Sequence, residues 1–309
     1  MSGHLGVSGH LGMSGYLGLD IGGTKVALRA GADGREPYET SLRWPVPADH
    51  RADLTALAGL IAGVRDRWDT PITSVGMAVP ATLDAAGRVT TWPGRPYWAG
   101  VDLLGEARGW FPGARLTHAD DGDLAALAEA DAAGEPDVVY LGAGTGVGGG
   151  IVLGGRLLPL PGGVSCELGH VLVETGGPLC DCGRRGCAQA VASGPATIRR
   201  AARERGSEVT DAELREAWID RRPWAVTAVD AGCAALATVV LSVAEIAAPA
   251  VAVIGGGFAS ALPGYAATVA EHLLRWERPG RPVPRVRAAS LGALSSLRGA
   301  VLLARTGLV

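Results

Sequence analysis

Asp20-Ile21-Gly22-Gly23-Thr24-Lys25 follows directly on the apolar run Tyr16 to Leu19. Tyr16 to Asp20 has the character of a buried strand, the two glycines supply a turn, and Val26 to Arg29 is the returning strand, so the stretch opens a β-hairpin. Glycine in the bend lets backbone N–H groups approach a phosphate, Thr24 adds a hydroxyl, and a carboxylate at the end of the strand can orient Mg²⁺ through water. Any tight hairpin uses such a turn, so its chemistry depends on what else the chain carries.

The same arrangement recurs twice. Val138 to Leu141 is a short apolar strand that runs into Leu-Gly-Ala-Gly-Thr-Gly-Val-Gly-Gly-Gly (141–150), with six glycines in ten residues and a single Thr. This again suits an anion cradle between two strands. Ala250 to Ile254 is a strand that opens onto Gly255, Gly256 and Gly257, where an adenine and ribose can lie flat against backbone. One such turn is ambiguous. Three at strand ends point to a nucleotide site formed by Asp20, Gly22, Gly23, Thr24, Lys25, Gly144, Thr145, Gly146 and Gly255 to Gly257.

Between the turns, helix and strand patterns alternate. Leu54, Leu57, Ala58, Ile61, Val64 and Trp68 fall at helical spacing, and Ser74 to Val79 reads as a strand. Asp123 to Ala133 reads as a helix stopped by Gly134, and Trp224 to Ala247 as a long apolar helix. The β, α, β order argues an α/β fold with more than one sheet and a boundary near His118. A chain of 309 residues with 48% hydrophobic content suits two such domains.

A formal charge of -3 on 28 basic and 31 acidic side chains gives no electrostatic reason to bind nucleic acid or anionic lipid. The expected partner is a small molecule. No apolar stretch of about 18 residues is free of Gly, Pro and turn signals, and the start lacks a basic region followed by an apolar block, so a cytoplasmic protein is expected. The opening repeats SGHLGV, SGHLGM and SGYLGL are Gly-rich in their first two copies, so residues 1–12 read as a flexible extension and Met13 as a candidate start. His4 and His10 within it make no metal site. Lys25 is the only lysine, Gln189 the only glutamine, and asparagine is absent.

Glu167-Leu168-Gly169-His170 is followed after nine residues by Cys180-Asp181-Cys182 and after four more by Cys187. One imidazole and three thiolates complete a closed tetrahedral zinc set, and a CxC pair does not readily form a disulfide with itself. A reducing compartment disfavours disulfides in any case. Cys166 and Cys233 lack such partners and read as small core or near-core residues.

From about Tyr16 to its carboxyl end the chain closely resembles the ROK family (repressors, open reading frames, kinases). Five motifs carry the resemblance: DIGGTK, GAGTGVGGG, ELGH with its Cys pattern, IGGG, and the terminal SLGALSSLRGAVLLA. It implies an actin-like (ribonuclease H-like) two-domain sugar-kinase fold with the sugar in the interdomain cleft. The implied small lobe is 13–118 completed by 292–309, and the large lobe, with the zinc site, is 119–291. MgATP as phosphoryl donor and a homodimer are implied as well. Family repressors carry a helix-turn-helix domain of about 80 residues ahead of the first motif, and fewer than about 20 residues precede it here, so kinase is the expectation over DNA binding.

The family's catalytic Asn-Asp pair aligns with Asp120 and Asp121, which implies Asp121 as the base that accepts the acceptor's proton. Acids at a helix start also serve simply as caps. By the same resemblance Glu167 and His170 face the substrate hydroxyls, with His170 using its other ring nitrogen on zinc. Three substrate-facing positions depart from the glucose-type pattern: Gly94, in Gly94-Arg95-Pro96-Tyr97-Trp98, and Asp120 replace Asn, and Gln189 replaces Glu. A carboxylate only accepts hydrogen bonds where Asn also donates, and Gln gains donors that Glu lacks. The total lack of Asn accounts for Asp120 as drift but leaves Gln189 unexplained. The expected acceptor is therefore a hexose-like polyol other than glucose that carries a primary hydroxyl, favouring a C7 cyclitol such as 2-epi-5-epi-valiolone. Glucose, an amino sugar, or a non-catalytic sugar sensor are the alternatives.

Overall fold

Residues 14–46, 49–159 and 164–307 are described in a computed structural model; the first two amino-terminal repeats, with His4, His10 and Met13, lie outside the described residues. The strands are β1 (Gly15–Ile21), β2 (Lys25–Gly31), β3 (Tyr38–Arg43), β4 (Ile72–Ala78), β5 (Thr82–Leu83), β6 (Val89–Thr91), β7 (Arg115–Ala119), β8 (Val138–Ala143), β9 (Val147–Leu153), β10 (Arg156–Leu157), β11 (Val251–Gly255) and β12 (Arg285–Ala288). The helices are α1 (His50–Arg67), α2 (Leu103–Trp110), α3 (Asp121–Ala133), α4 (Ala188–Ala192), α5 (Gly194–Arg205), α6 (Asp211–Ile219), α7 (Pro223–Ala247), α8 (Gly257–Ala261), α9 (Tyr265–Leu274) and α10 (Ser295–Thr306).

Two five-stranded sheets share one plan. The first has the order β3-β2-β1-β4-β7 and the second β10-β9-β8-β11-β12. In each, three antiparallel strands are extended by two parallel ones. The glycine turns between β1 and β2 and between β8 and β9 are thus equivalent bends of two similar sheets. The third glycine run follows β11, a central parallel strand, where an open α/β sheet places its ligands.

Helices α3 and α10 lie between the sheets. Leu124, Leu127, Ala300 and Leu303 join Ala78 of β4, Tyr140 of β8 and Val253 of β11 in one buried cluster. Small residues bring α10 this close. A Cβ on Gly76 would lie 2.1 Å from the Ala300 carbonyl oxygen, and one on Gly299 only 1.9 Å from that of Leu124.

The chain passes between the sheets twice, from β7 into α3 and from β12 into α10, and a buried carboxylate ties the two passages. Glu129 of α3 accepts from Ser290 N (2.8 Å) and Oγ (3.0 Å), from Leu291 N (3.0 Å) and from Ser295 Oγ (2.8 Å). Helix α7 is long and apolar enough by composition to cross a membrane. Here its apolar face packs on α4, α5 and α9 in the core of the second sheet's layer.

Candidate active site

The turn after β1 is held from both sides. Trp44 donates through Nε1 to the Gly22 carbonyl (2.7 Å), and Arg95 through Nε to that of Gly23 (3.0 Å). With those carbonyls taken by the protein, the exposed face of Gly23, Thr24 and Lys25 is left to solvent. Asp20 closes the strand beneath the turn and accepts from Ser296 Oγ of α10 at 2.7 Å. Burial, and then the charge of Asp121, push its carboxyl up to about 6 against the Ser296 hydrogen bond and the charge of Lys25.

The second turn is closed by Gly144 N donating to the Gly146 carbonyl (2.8 Å), and Gly194 N at the start of α5 donates to that of Gly144 (2.9 Å). A Cβ on Gly144 would meet nothing nearer than Gly257 N at 4.0 Å, so the second and third glycine runs face each other across open space. Backbone there is bare and a ligand can approach it, as a phosphate cradle requires. Gln189, at the start of α4, accepts from Val147 N through Oε1 at 3.2 Å, which places it beside the same turn. Gly94 belongs to the first turn, since a Cβ on it would lie 3.9 Å from Gly23 Cα.

Asp120 caps α3 and accepts from Gly122 N at 2.9 Å, so the cap reading of these acids holds for Asp120. Asp121 and Asp123 occupy the first turn of the helix. This end of α3 packs tightly on β9, where a Cβ on Gly122 would reach Gly149 N at 2.8 Å. Four carboxylates gather here. Burial, followed by the charges of Asp121, Asp123 and Glu167, pushes Asp120 up to about 8. Burial first, then Glu167 and Asp121, pushes Asp123 up to about 7, and Asp121 is also raised, again mainly by burial. Like charges in a half-buried site cannot all ionise together, so a carboxylate that is ionised here is a stronger base than a free one.

The turn Leu168–His170 sits on β9 through Gly169, where a Cβ would lie 1.9 Å from the Val147 carbonyl oxygen. The ligating atoms of His170, Cys180, Cys182 and Cys187 all lie within 4.8 Å of one another. Cys182 Sγ is 3.7 Å from Cys187 Sγ, and Cys180 Sγ is 3.6 Å from His170 Nδ1. A tetrahedral ion with bonds of about 2.3 Å to sulfur would set such atoms about 3.8 Å apart, so the donors fit one. Nε2 of the same ring faces Glu167 Oε2 at 4.0 Å. The imidazole therefore turns one nitrogen to the cysteines and the other to the acid cluster.

The structure also brings in residues that the motifs do not mark. Asp53, fully buried in α1, receives Arg95 Nη1 (2.5 Å), Trp98 Nε1 (2.8 Å) and Tyr97 OH (3.1 Å). Arg95 also lies over the Trp44 ring, 4.4 Å from its centroid. The segment 94–98 is thus anchored to the first turn through a buried ion pair. Aromatic crowding from Trp92 to Trp98 was the available signal; nothing local marks Asp53 as its partner.

The profile of the ROK family matches residues 16–307. A kanosamine kinase of Amycolatopsis mediterranei is 49% identical over 93% of this chain and 94% of its own length. A glucokinase of Thermotoga maritima is 34% identical over 60% of this chain and 59% of its own. Among solved structures, a ROK hexokinase from Thermus thermophilus superposes with a TM-score of 0.84 at 32% identity, covering 95% of this chain and 98% of that one. A ROK glucokinase from Streptomyces griseus, solved with glucose and AMPPNP, gives 0.78 at 26% identity over 95% and 100%. The chain belongs to the ROK family, and it is an ATP-using sugar kinase with the actin-like fold.

Proposed function

We propose that the enzyme phosphorylates the primary hydroxyl of an amino hexose. The reading rests on the 49% identity with a kanosamine kinase along nearly the whole of both chains. Asp121 is the base. The hydroxyl oxygen attacks the γ-phosphorus, the new O–P bond forms as the bond to the β–γ bridging oxygen breaks, the proton passes to Asp121, and ADP leaves with the electron pair.

Gly22, Gly23, Thr24, Lys25, Gly144, Thr145 and Gly146 hold the phosphates through backbone and hydroxyl donors, and Gly255, Gly256 and Gly257 the adenosine. Asp20 would orient Mg²⁺ through water, and the ion would supply positive charge to the phosphates. Gly94, Asp120, Glu167, His170 and Gln189 receive the acceptor. His170, Cys180, Cys182 and Cys187 would hold a structural zinc ion, which would fix the imidazole with Nε2 toward Glu167 and the acceptor.

A C7 cyclitol of the valiolone type is the second reading, and Gln189 favours it. With Oε1 taken by Val147 N, its amide donors remain for the acceptor and suit a carbonyl or ether-like oxygen. The test is turnover of kanosamine, glucose, N-acetylmannosamine and a valiolone-type cyclitol with ATP. Kanosamine is expected to give the highest kcat/KM. A cyclitol preference would replace the amino-hexose reading, and no turnover of any polyol would return the chain to a sensor.

A further inference from the structure

Two buried carboxylates outside the site have partners from distant elements. Asp53 has the Arg95 guanidinium, and Glu129 accepts four hydrogen bonds from Ser290, Leu291 and Ser295. The cluster at the start of α3 is built differently. Among the described residues no Lys, Arg or His side chain pairs with Asp120, Asp121 or Asp123, and Asp120 accepts its hydrogen bond from the backbone of Gly122 at 2.9 Å. Glu167 presses on all three with a further negative charge. Lys25 lies nearby, its charge acting on Asp20 at the edge of the cluster.

Arrival of the phosphoryl donor does not correct this imbalance, because MgATP is itself anionic overall. Protonation relieves it in the free enzyme, and a cation carried by the acceptor would let the cluster ionise instead. An ammonium group offers three donors and no acceptor, which complements a carboxylate that only accepts. An amide at the position of Asp120 would serve a neutral hydroxyl equally well, and would carry no charge to reward a cation.

We propose that Asp120 is the specificity-determining residue of the acceptor site, its carboxylate receiving a free ammonium group on the ring of the sugar whose primary hydroxyl Asp121 deprotonates. This rests on the amino-hexose reading above and adds the residue that enforces it. The enzyme then selects against the parent hexose, which lacks the charge, and against the N-acetylated sugar, which has lost it. Gln189 and His170 are left to read the hydroxyls.

The test compares kcat/KM for kanosamine, its N-acetyl derivative and glucose in wild type, Asp120→Asn and Asp120→Ser. Asn and Ser both cap helices about as well as Asp, so α3 keeps its start. Wild type is expected to prefer the free amine, and both variants to lose that preference by about 10- to 100-fold, the range of one hydrogen bond to a charged group. The loss should fall mainly on KM for kanosamine, because the ammonium stays in place while phosphoryl is transferred. If wild type prefers the amine and both variants keep that preference within about threefold, Asp120 is not the reader, and the amino-hexose reading stands without it. If wild type turns over a neutral polyol and no amino hexose, both fall.

Discussion

Ser296 donates its hydroxyl to Asp20 Oδ2 at 2.7 Å, joining the last helix to the first strand across 276 residues of chain. The bond favours the carboxylate form of a group that burial pushes up to about 6. Ser296→Ala should leave Asp20 more often protonated and less able to orient Mg²⁺. The KM for MgATP is expected to rise about 10-fold, the scale of one hydrogen bond to a charged group, while the acceptor's KM stays near wild type. Ser296→Thr should retain the wild-type value. An unchanged KM for MgATP in the alanine variant would mean that Asp20 works without the last helix.

Asp121→Asn should preserve the fold, since the amide fits the first turn of α3, and should leave nucleotide binding near normal. Loss of a general base costs about 10² to 10⁴ in rate, and the fall should appear in kcat. Single-turnover kinetics separates this from slow product release. A variant with more than about a third of wild-type turnover would shift the role to Asp120 or Asp123.

What could be read in the sequence follows from chemistry that admits few residue types. Bare backbone for phosphates demands glycine at strand ends, so β1, β8 and β11 announced themselves. A tetrahedral thiolate site demands a His and Cys spacing, and the four donors do converge. Strand β12, Arg-Val-Arg-Ala, is exposed at three of its four positions at the edge of its sheet, and so carries no apolar run. Helix α5 holds its face with Ala196, Thr197 and Ala201 between arginines, too small a stripe to stand out. Asp53 with Arg95 and Glu129 with Ser295 pair across 42 and 166 residues, and no local pattern encodes such pairings.

The acid cluster makes stability depend on pH in a definite direction. Asp120, Asp123 and Asp20 keep their protons in the folded protein up to about 8, 7 and 6, whereas their ordinary value is 3.8. Between those limits the folded state binds more protons than the unfolded chain, so their contribution is full below the ordinary value and is lost as pH rises. His118, lowered by burial, acts in the opposite sense, but only up to its ordinary 6.5. The Tm of nucleotide-free Asp120→Asn should therefore gain on wild type from pH 5.5 to 8. A difference that stays constant across that range would contradict the assigned shift.

Two glycines of the second hairpin should fail in different ways. A side chain at Gly144 enters open space, with no protein atom nearer than 4.0 Å, so Gly144→Val should fold and fill the nucleotide cradle. Calorimetry should then find ATP affinity reduced by about 100-fold or more with Tm close to wild type. A Cβ at Gly169 would lie 1.9 Å from the Val147 carbonyl oxygen, so Gly169→Ala should lower Tm and disturb the His170 turn. Normal ATP binding by Gly144→Val would leave that turn a structural bend only.

His170 joins the cysteine cluster to the acids, because Nδ1 lies 3.6 Å from Cys180 Sγ while Nε2 lies 4.0 Å from Glu167 Oε2. Four ligands satisfy one tetrahedral ion, so elemental analysis should find about one zinc per chain. Cys182→Ser removes a ligand at an exposed corner, where the smaller oxygen meets no packing constraint. It should lower metal content and, with it, Tm by roughly 5 to 10 °C, since binding energy at a structural site is folding energy. Freed from the ion, the imidazole loses its fixed orientation, and KM for the acceptor should rise while KM for MgATP holds. That split separates a positioning role from general loosening of the fold, which would weaken both substrates. A folded, fully active enzyme without metal would overturn the zinc assignment.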